Sequence, residues 1–322
     1  MAIRVPSIVS HLTADGAPKT HPGLDAFLSR ASAVLIDKDQ QLRLAWCCIA
    51  AGGHLLIEDA PGMGKTTMVK LIAKLCDLPW KRIQCTSDML PADITGGNIF
   101  DEVARAFVFM KGPLFTNLVM ADELNRASAK SQSAFLQAME ENSVTVDGET
   151  YQLASPFIVI ATQNSLDSAG TNALPESQLD RFMMSISLGL PGRSSEKRLL
   201  MEPPRKDSID GLTPVLSREG LLDLQDAVSG VHTGDRVAEY ILDLVSWIRE
   251  RAHGLSPRAV LALTACSRAW AYGEGRDFIM PSDVKVVAKA VLCHRLTLLG
   301  SAGFHSPGEL VDAALKNINS DG

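Results

Sequence analysis

The sequence lacks the cysteine and histidine spacings that mark metal centres and disulfide-stapled folds. Its six cysteines form no C-x-x-C pair, and its seven histidines form no H-E-x-x-H motif. These absences argue against a zinc site. Most of the cysteines lie in apolar surroundings, where a buried, reduced thiol is the ordinary state. We therefore expect a protein of a reducing compartment, the cytoplasm.

Long apolar runs and an excess of basic residues are also missing. The longest apolar stretch, residues 44–57, is too short to cross a bilayer and contains Gly52-Gly53. The formal net charge is −6, and no basic stripe is interleaved with aromatic residues, which argues against a broad electrostatic grip on nucleic acid. We expect neither membrane insertion nor a nucleic-acid partner.

The patterns along the 322 residues predict two domains joined by a linker. Residues 1–20 have mixed polarity and no apolar core, which predicts a flexible arm rather than a signal peptide. Residues 21–190 form the predicted core domain, whose first helix is expected over Asp25–Ala51. Residues 191–214 are rich in Pro, Gly, Ser and charge, and are predicted to be the linker. The remaining residues, 215–322, have apolar positions at helical spacing, and the predicted helices are Arg218–Ser229, Arg236–Arg251, Pro257–Tyr272 and Pro281–Leu299.

The segment Asp59–Thr67 has the layout of a phosphate-binding loop. An apolar run enters it and a helical pattern leaves it, so backbone N–H groups and the positive end of a helix dipole can face one anion. Lys65 would reach the β- and γ-phosphates of a nucleotide, and the Thr66 hydroxyl would bind Mg²⁺. The candidate phosphate-binding residues are Pro61, Gly62, Met63, Gly64, Lys65, Thr66 and Thr67.

One position of this loop departs from the full G-x-x-x-x-G-K-[ST] pattern, because Asp59 stands where the pattern has glycine. A carboxylate turned inward would repel phosphate. We expect the Asp59 side chain to turn away, since Gly62 and Gly64 still supply the anion-facing backbone.

A second motif is the apolar run from Leu118 that ends in Asp122 and Glu123. Such a run is typical of a buried parallel strand, and its carboxyl end is where open α/β sheets bind ligands. Asp122 is placed to hold Mg²⁺ through water, and Glu123 to polarise an attacking water molecule. Solvated acids after an apolar strand are common in any protein, but the upstream phosphate loop favours the catalytic interpretation.

A further buried strand, residues 157–162, ends in Gln163 and Asn164. These amides are equally consistent with orienting water near a γ-phosphate and with capping the strand end. Between the two strands, Ser128–Glu141 is predicted as a helix and residues 144–151 as a hairpin with an Asp-Gly turn. The irregular region 88–117 holds no long helix, and its segment 107–109 is predicted to be one strand of a small ribbon.

Several segments in this order closely resemble the MoxR family of AAA+ ATPases, over roughly residues 25 to 300. The segments are Gly62-x-Gly64-Lys65-Thr66, the strand Leu118–Glu123, Asp122-Glu123-Leu124-Asn125-Arg126-Ala127, Ala161–Asn164, Leu174–Phe182 and Leu255–Ala259. The resemblance implies an α/β fold: an AAA+ αβα nucleotide-binding domain with a parallel sheet, followed by a small all-helical lid. It also implies a helix-2 insert near 93–111 and a pre-sensor hairpin near 144–153.

The resemblance assigns roles to three residues of this sequence. Asn164 matches sensor 1, Arg181 the arginine finger given to a neighbour's ATP, and Arg258 sensor 2, which reaches from the lid to bound nucleotide. Guanidinium groups suit these roles because they are always charged and can bind phosphate oxygens bidentately. The alternatives are a surface ion pair with Asp180 or Glu176 for Arg181, and a solvent-exposed lid residue for Arg258.

Two further positions carry no settled role. For Arg126, contact with a neighbouring subunit and the absence of such contact are equally consistent with the sequence. Residues 35–38, Leu-Ile-Asp-Lys, differ from the Val-Gly-Gln that the family commonly has near the adenine, so the resemblance assigns no base contact to these residues.

The function that the resemblance implies is Mg²⁺-dependent ATP hydrolysis by a ring, expected to be a hexamer. Such a ring would remodel or mature client protein complexes in a chaperone-like role, which includes cofactor insertion, with a von Willebrand factor A domain protein as partner. Two other functions stay open at this point. One is a nucleotide-gated interaction module with little hydrolysis, which the presence of Asp59 in the loop favours. The other is a DNA-acting motor, which the negative net charge of the chain disfavours.

Overall fold

A computed structural model describes residues 20–103, 105–164, 174–201, 208–300 and 303–319, so the arm expected at 1–20 lies almost wholly outside the described residues. The strands, numbered in chain order, are β1 (Leu55–Glu58), β2 (Trp80–Gln84), β3 (Gly96–Asp101), β4 (Ala106–Lys111), β5 (Leu118–Asp122), β6 (Ser143–Val146), β7 (Glu149–Gln152), β8 (Ile158–Gln163), β9 (Met184–Ile186), β10 (Ala252–His253) and β11 (Thr297–Leu298). The helices are α1 (Pro22–Ser32), α2 (Asp39–Ala50), α3 (Lys65–Leu75), α4 (Pro91–Thr95), α5 (Ala129–Glu141), α6 (Glu176–Leu179), α7 (Arg193–Met201), α8 (Arg218–Ser229), α9 (Asp235–Arg249), α10 (Pro257–Gly273), α11 (Pro281–Leu292) and α12 (Pro307–Asn317).

Five strands form one parallel sheet in the order β2-β5-β8-β1-β9. Leu55 of β1 pairs with Ile160 of β8 on one side and with Met184 of β9 on the other. The central strands are buried along nearly their whole length, as expected for parallel strands covered on both faces. Because all five run the same way, their carboxyl ends meet at one edge.

The two faces of the sheet bury separate hydrophobic clusters, since side chains alternate along a strand. Leu55 and Ile57 face a cluster that includes α3 and continues into the lid helices. Leu56 faces the other cluster, which is built around Phe135 of α5. The predicted αβα core with a helical lid is therefore confirmed. The lid shares its hydrophobic core with α1 and α2, so it packs directly against the core domain.

The helix predicted over Asp25–Ala51 is in fact two helices, α1 and α2. The chain turns between them at Asp37, whose φ of 63° is in the left-handed region. The carboxylate of Asp37 accepts a hydrogen bond of 2.6 Å from the backbone N–H of Gly192, so a contact far along the sequence holds this turn. The periodicity of apolar residues continues through the break, which is why it predicted one helix.

The domain boundary also differs in detail from the expectation. The predicted linker 191–214 contains α7, and its residues 202–207 lie outside the described part. The last predicted helix, Pro281–Leu299, ends at Leu292, and the chain then forms a short 3-10 helix and β11. The final helix α12 was not predicted, although Ser306 caps it and Pro307 occupies its first turn.

Both predicted ribbons are present as antiparallel hairpins, β3–β4 and β6–β7. They touch each other: the ring of Phe109 stacks on Tyr151 at 3.9 Å, and the Asn98 amide donates to the Asp147 carboxylate at 2.7 Å. The two hairpins therefore form one projecting unit.

The cysteines are all unbonded, and five of the six are buried, which confirms the expected burial of most of these thiols. Burial raises the pKa of the Cys76 thiol to about 12. Among the helices of the described residues, each is too short or too polar to cross a membrane.

A buried histidine, His54, ties the start of β1 to two other elements. Its Nδ1 accepts a hydrogen bond of 3.0 Å from the backbone N–H of Val159, and its Nε2 lies 3.1 Å from the carbonyl oxygen of Met139. The Val159 bond requires an unprotonated Nδ1, so Nε2 carries the hydrogen and donates it to Met139. Burial lowers the pKa of His54 to about 4, against the opposing effect of the Met139 bond.

We predict that His54 makes the protein acid-sensitive. Its pKa is about 4 when folded and about 6.5 when unfolded, so the unfolded chain binds more protons between these values and stability falls as pH decreases through them. The loss from this group is about 3 kcal/mol of unfolding free energy. Urea unfolding at pH 7, 5 and 4 measures it. The variant His54→Asn is expected to be less stable at pH 7 but to lose less on acidification; equal pH slopes in the two proteins would contradict the assignment.

Candidate active site

The predicted phosphate loop joins the end of β1 to the start of α3. Gly62 and Gly64 have φ values of +84° and +91°, which L side chains rarely adopt, so these glycines allow the loop to curl around an anion. The first residue of α3 is Lys65, whose Nζ donates to the carbonyl oxygens of Asp59 at 2.6 Å and Gln163 at 3.3 Å. Partial burial lowers the pKa of Lys65, while nearby carboxylates act in the opposite direction.

The Asp59 side chain turns away from the interior of the loop, as predicted. Its carboxylate accepts hydrogen bonds from the Ser187 hydroxyl at 2.9 Å and from the backbone N–H groups of Leu188 and Gly189. These three donors follow β9, the neighbour of β1 in the sheet. Asp59 therefore holds the chain after β9 against the base of the phosphate loop.

We predict that Asp59→Gly leaves ATP affinity nearly unchanged but lowers stability. The substitution restores the glycine of the common pattern, yet it leaves the buried N–H of Leu188 without its acceptor, which costs about 1–3 kcal/mol. Isothermal titration with ATP and urea unfolding measure the two effects. A large gain in affinity would show that the carboxylate faces the phosphates; unchanged stability would show that its three hydrogen bonds are dispensable.

The two predicted acids lie at the end of β5, next to the phosphate loop in space. Asp122 is buried, and its Oδ1 accepts a hydrogen bond of 2.5 Å from the Thr162 hydroxyl of β8. Glu123 has a left-handed φ of 56°, which ends the strand, and its backbone N–H donates to the same hydroxyl at 2.9 Å. Thr162 thus fixes both acids relative to β8, whose end also carries the buried Asn164.

Two residues of β2 complete this side of the site and were missed by sequence reasoning. Arg82 donates to Asp122 Oδ2 from Nε at 3.0 Å and from Nη2 at 2.5 Å. Gln84 accepts from Arg82 at 2.7 Å and donates to Glu123 Oε2 at 3.0 Å. Their signal in the sequence was weak: two polar residues at alternate positions of a short strand, which places both on one face.

The structure gives Arg126 a contact within its own chain. Its Nε lies 3.3 Å from Glu123 Oε2, the oxygen that Gln84 also binds. The Glu123 carboxylate is therefore oriented from two sides. The predicted possibility that Arg126 faces a neighbouring subunit stays a prediction.

A cavity of about 870 Å³ opens beside the phosphate loop. Its lining includes Leu35, Ile36 and Lys38 from the turn between α1 and α2, and Leu199 and Leu200 of α7. A largely apolar cleft of this size next to a phosphate loop suits a purine base and ribose. The unusual segment 35–38 thus lies beside the cleft that suits the base.

The predicted arginines Arg181 and Arg258 lie together, away from the phosphate loop. Arg181 Nη2 is 2.9 Å from Glu140 Oε2, and Arg258 Nη2 donates to Glu140 Oε1 at 2.7 Å. Neither Asp180 nor Glu176, the partners considered from the sequence, is the ion-pair partner of Arg181. The structure brings Arg258, from the lid, to Arg181 rather than to the phosphate loop of its own chain.

Both arginines lie at the edge of the sheet opposite the phosphate loop. Glu140 follows Met139, whose carbonyl binds His54 just before β1, and Met183 donates its N–H to the His54 carbonyl. The phosphate loop begins after the opposite end of β1, and the four extended residues of this strand span about 13 Å. The two arginines therefore lie at the other end of β1 from the chain's own phosphate loop.

Comparisons with known proteins agree with this geometry. Residues 54–184 match the family model of the ATPase family associated with various cellular activities (AAA), and residues 249–318 match that of the AAA lid domain. The chain is 40% identical over 303 residues to YeaC of Bacillus subtilis, described as uncharacterized, which covers 93% of this chain and 94% of that one. It is 34% identical over 294 residues to the chaperone MoxR1 of Mycobacterium tuberculosis, covering 85% and 76% of the two chains.

A solved structure shows the same architecture. The crystal structure of a protein from Cytophaga hutchinsonii, described as a candidate ATPase, superposes with a TM-score of 0.83 at 33% identity, covering 92% of this chain and 94% of that one. Both the nucleotide-binding core and the lid are thus found in relatives along nearly the whole chain. The chain belongs to the MoxR family of AAA+ ATPases.

Proposed function

We propose that this protein hydrolyses ATP in a Mg²⁺-dependent reaction. One observation carries the proposal: three neighbouring parallel strands bring the phosphate loop, the acids Asp122 and Glu123, and Asn164 to the same edge of the sheet. A cavity large enough for a nucleoside opens beside that edge. Phosphoryl transfer to water needs this combination of a phosphate cradle, a metal-binding acid and a water-orienting base.

The donor groups at this edge fit Mg²⁺. In nucleotide sites this ion takes one or two protein oxygens and completes its shell with water and phosphate. The hydroxyl of Thr66 and the carboxylate of Asp122 are the protein oxygens that would hold it, and it would neutralise charge on the phosphates.

The side chains have separate roles in this proposal. Lys65 would release the carbonyls of Asp59 and Gln163 and bind the phosphates. Glu123, held by Gln84 and Arg126, would accept a proton from the attacking water. Asn164 would orient that water as sensor 1.

We also propose that Arg181 and Arg258 complete the site of a neighbouring subunit. Their position at the far edge of the sheet supports action in trans and requires an assembly, for which a hexameric ring is the expected form. This arrangement changes the role inferred for Arg258, which would act beside Arg181 on the neighbour's nucleotide. Guanidinium groups given in trans stabilise the charge that develops during phosphoryl transfer.

In the cell, hydrolysis would move the lid and the projecting hairpins and so remodel client protein complexes in the cytoplasm, a chaperone-like role that includes cofactor insertion. A von Willebrand factor A domain protein is the expected partner. The name of the M. tuberculosis relative, a chaperone, supports this direction. The alternative of a binding module without hydrolysis loses its main support, because the Asp59 carboxylate binds the chain after β9 rather than facing the interior of the phosphate loop.

Phosphate release from ATP tests the proposal. We expect release that requires Mg²⁺ and whose rate per subunit rises with protein concentration until the assembly is complete. Lys65→Ala serves as the negative control because it removes the phosphate-binding ammonium. Binding of ATP without release, at every concentration, would favour the interaction module; ATP-dependent, salt-sensitive binding to DNA would favour a motor.

A further inference from the structure

The carboxylate of Glu140 binds two arginines from different domains. Its Oε1 accepts a hydrogen bond of 2.7 Å from Arg258 of the lid, and its Oε2 forms an ion pair with Arg181 of the core, 2.9 Å from Nη2. Each arginine uses only Nη2 for this contact, so both guanidinium groups have other N–H groups with which to bind an anion. The three side chains are 29% to 46% exposed, so a neighbouring molecule can reach them.

The backbone on both sides of this cluster is fixed by buried contacts. Arg295 of the lid is 2% exposed and binds Asp180 at 2.9 Å and the carbonyl of Phe182 at 2.6 Å, the residues on either side of Arg181. Asp180 also accepts a hydrogen bond of 2.8 Å from Ser256, the cap of α10, two residues before Arg258. The two arginines therefore emerge from one rigid framework of core and lid.

The framework positions the backbone but leaves the long side chains to be oriented. Two guanidinium groups this close repel each other, and each side chain has several rotatable bonds. Glu140 offsets the repulsion because it carries the opposite charge between them; the hydrogen bond from Arg258 and the charge of Arg181 keep its pKa below the ordinary value. Arg181 Nε is buried without a partner among the described residues, so Glu140 is the side chain that orients this guanidinium.

We infer that Glu140 is a positioning residue that holds Arg181 and Arg258 side by side as one anion-binding pair for the phosphates of a neighbouring subunit's ATP. This inference rests on the proposed function, in which both arginines act in trans. In this proposal Glu140 acts without touching the nucleotide: its role is to present the two guanidinium groups together and to limit the reorganisation needed when the subunits meet.

Steady-state hydrolysis by Glu140→Gln tests the inference at protein concentrations where the rate per subunit is constant. The variant keeps the size of the side chain but removes its charge. We expect kcat to fall about tenfold to a hundredfold, which is the loss of rate that misplacement of a catalytic group causes. KM for ATP should stay nearly unchanged, since the chain's own phosphate loop is intact. The matched control is Glu141→Gln, whose carboxylate accepts a hydrogen bond from Gln137 on the same helix.

A double-mutant cycle with Arg258→Ala separates positioning from a general structural role. If Glu140 acts through the arginines, the effects on kcat overlap, and the double variant loses clearly less than the product of the two single losses. Fully multiplicative losses, a kcat equal to that of Glu141→Gln, or a kcat above wild type would each overturn the inference. Arg181→Ala, measured in parallel, distinguishes failure of the proposed function from failure of this inference. A wild-type rate in Arg181→Ala refutes both the action of Arg181 in trans and the role of Glu140. A low rate in Arg181→Ala together with a wild-type rate in Glu140→Gln refutes the role of Glu140 alone.

Discussion

Replacement of Arg181 by alanine is expected to lower kcat for ATP hydrolysis by about three powers of ten or more, as loss of a guanidinium given in trans does in other phosphoryl-transfer enzymes. The physical reason is that Arg181 would neutralise charge that develops on the neighbour's γ-phosphate, while its own chain's loop would keep binding ATP. We therefore expect ATP affinity close to that of the wild type. Phosphate release and equilibrium nucleotide binding, measured on the same preparation, check both parts.

The control for this prediction is Arg218→Ala, which removes an exposed arginine whose carboxylate partner is its neighbour Glu219. This control is expected to retain the wild-type rate because exposed ion pairs contribute little. An Arg181→Ala protein that hydrolyses ATP at the wild-type rate would contradict the trans arginine. Loss of assembly is checked separately by sedimentation, so that a missing contact between subunits is not mistaken for missing catalysis.

Replacement of Glu123 by glutamine is expected to lower kcat by about 10²- to 10⁴-fold, the usual contribution of a general base. Glutamine can keep the hydrogen-bonding contact with Gln84 but cannot accept the proton of the attacking water. ATP binding should persist, because the phosphates are held by the loop and Lys65. The variant is expected to accumulate in an ATP-bound, assembled form, which sedimentation with and without ATP measures.

The control variant is Glu149→Gln, which changes an exposed carboxylate on β7. It should bind and hydrolyse ATP as the wild type does. If Glu123→Gln lost ATP binding together with turnover, Glu123 would have a structural role at the end of β5 instead. If it turned over ATP normally, another group would have to be the base.

The parts of the site that local sequence determines could be predicted. The phosphate loop and the acids at the end of β5 each depend on an apolar strand followed by particular residues, and in each case the strand and those residues are adjacent in the sequence. The hairpin 143–152 was equally visible, since an Asp-Gly turn determines it locally. Asp59 could be predicted to turn away because Gly62 and Gly64 keep the backbone of the loop intact.

Contacts between distant segments could not be predicted in the same way. Nothing near Glu140 indicates that it binds Arg181 and Arg258, which are 41 and 118 residues further along. Arg82 and Gln84 gain their positions only because β2 pairs with β5. Nothing near Arg258 in the sequence indicates that packing of the lid on α2 and β9 places this arginine beside Arg181.

The most direct test of the account is to mix two inactive variants, Glu123→Gln and Arg181→Ala. If Arg181 acts in trans, a mixed assembly contains sites in which an Arg181→Ala subunit, with its intact loop and Glu123, receives Arg181 from a Glu123→Gln neighbour. We predict that mixing restores phosphate release well above the sum of the separate rates. The control is a mixture of Lys65→Ala and Glu123→Gln, which should restore no phosphate release. In that mixture every site lacks either its own Lys65 or its own Glu123, and a neighbouring subunit cannot supply the missing group. A mixture of Glu123→Gln and Arg181→Ala that stays as inactive as its components, in assemblies shown to contain both, would contradict the account.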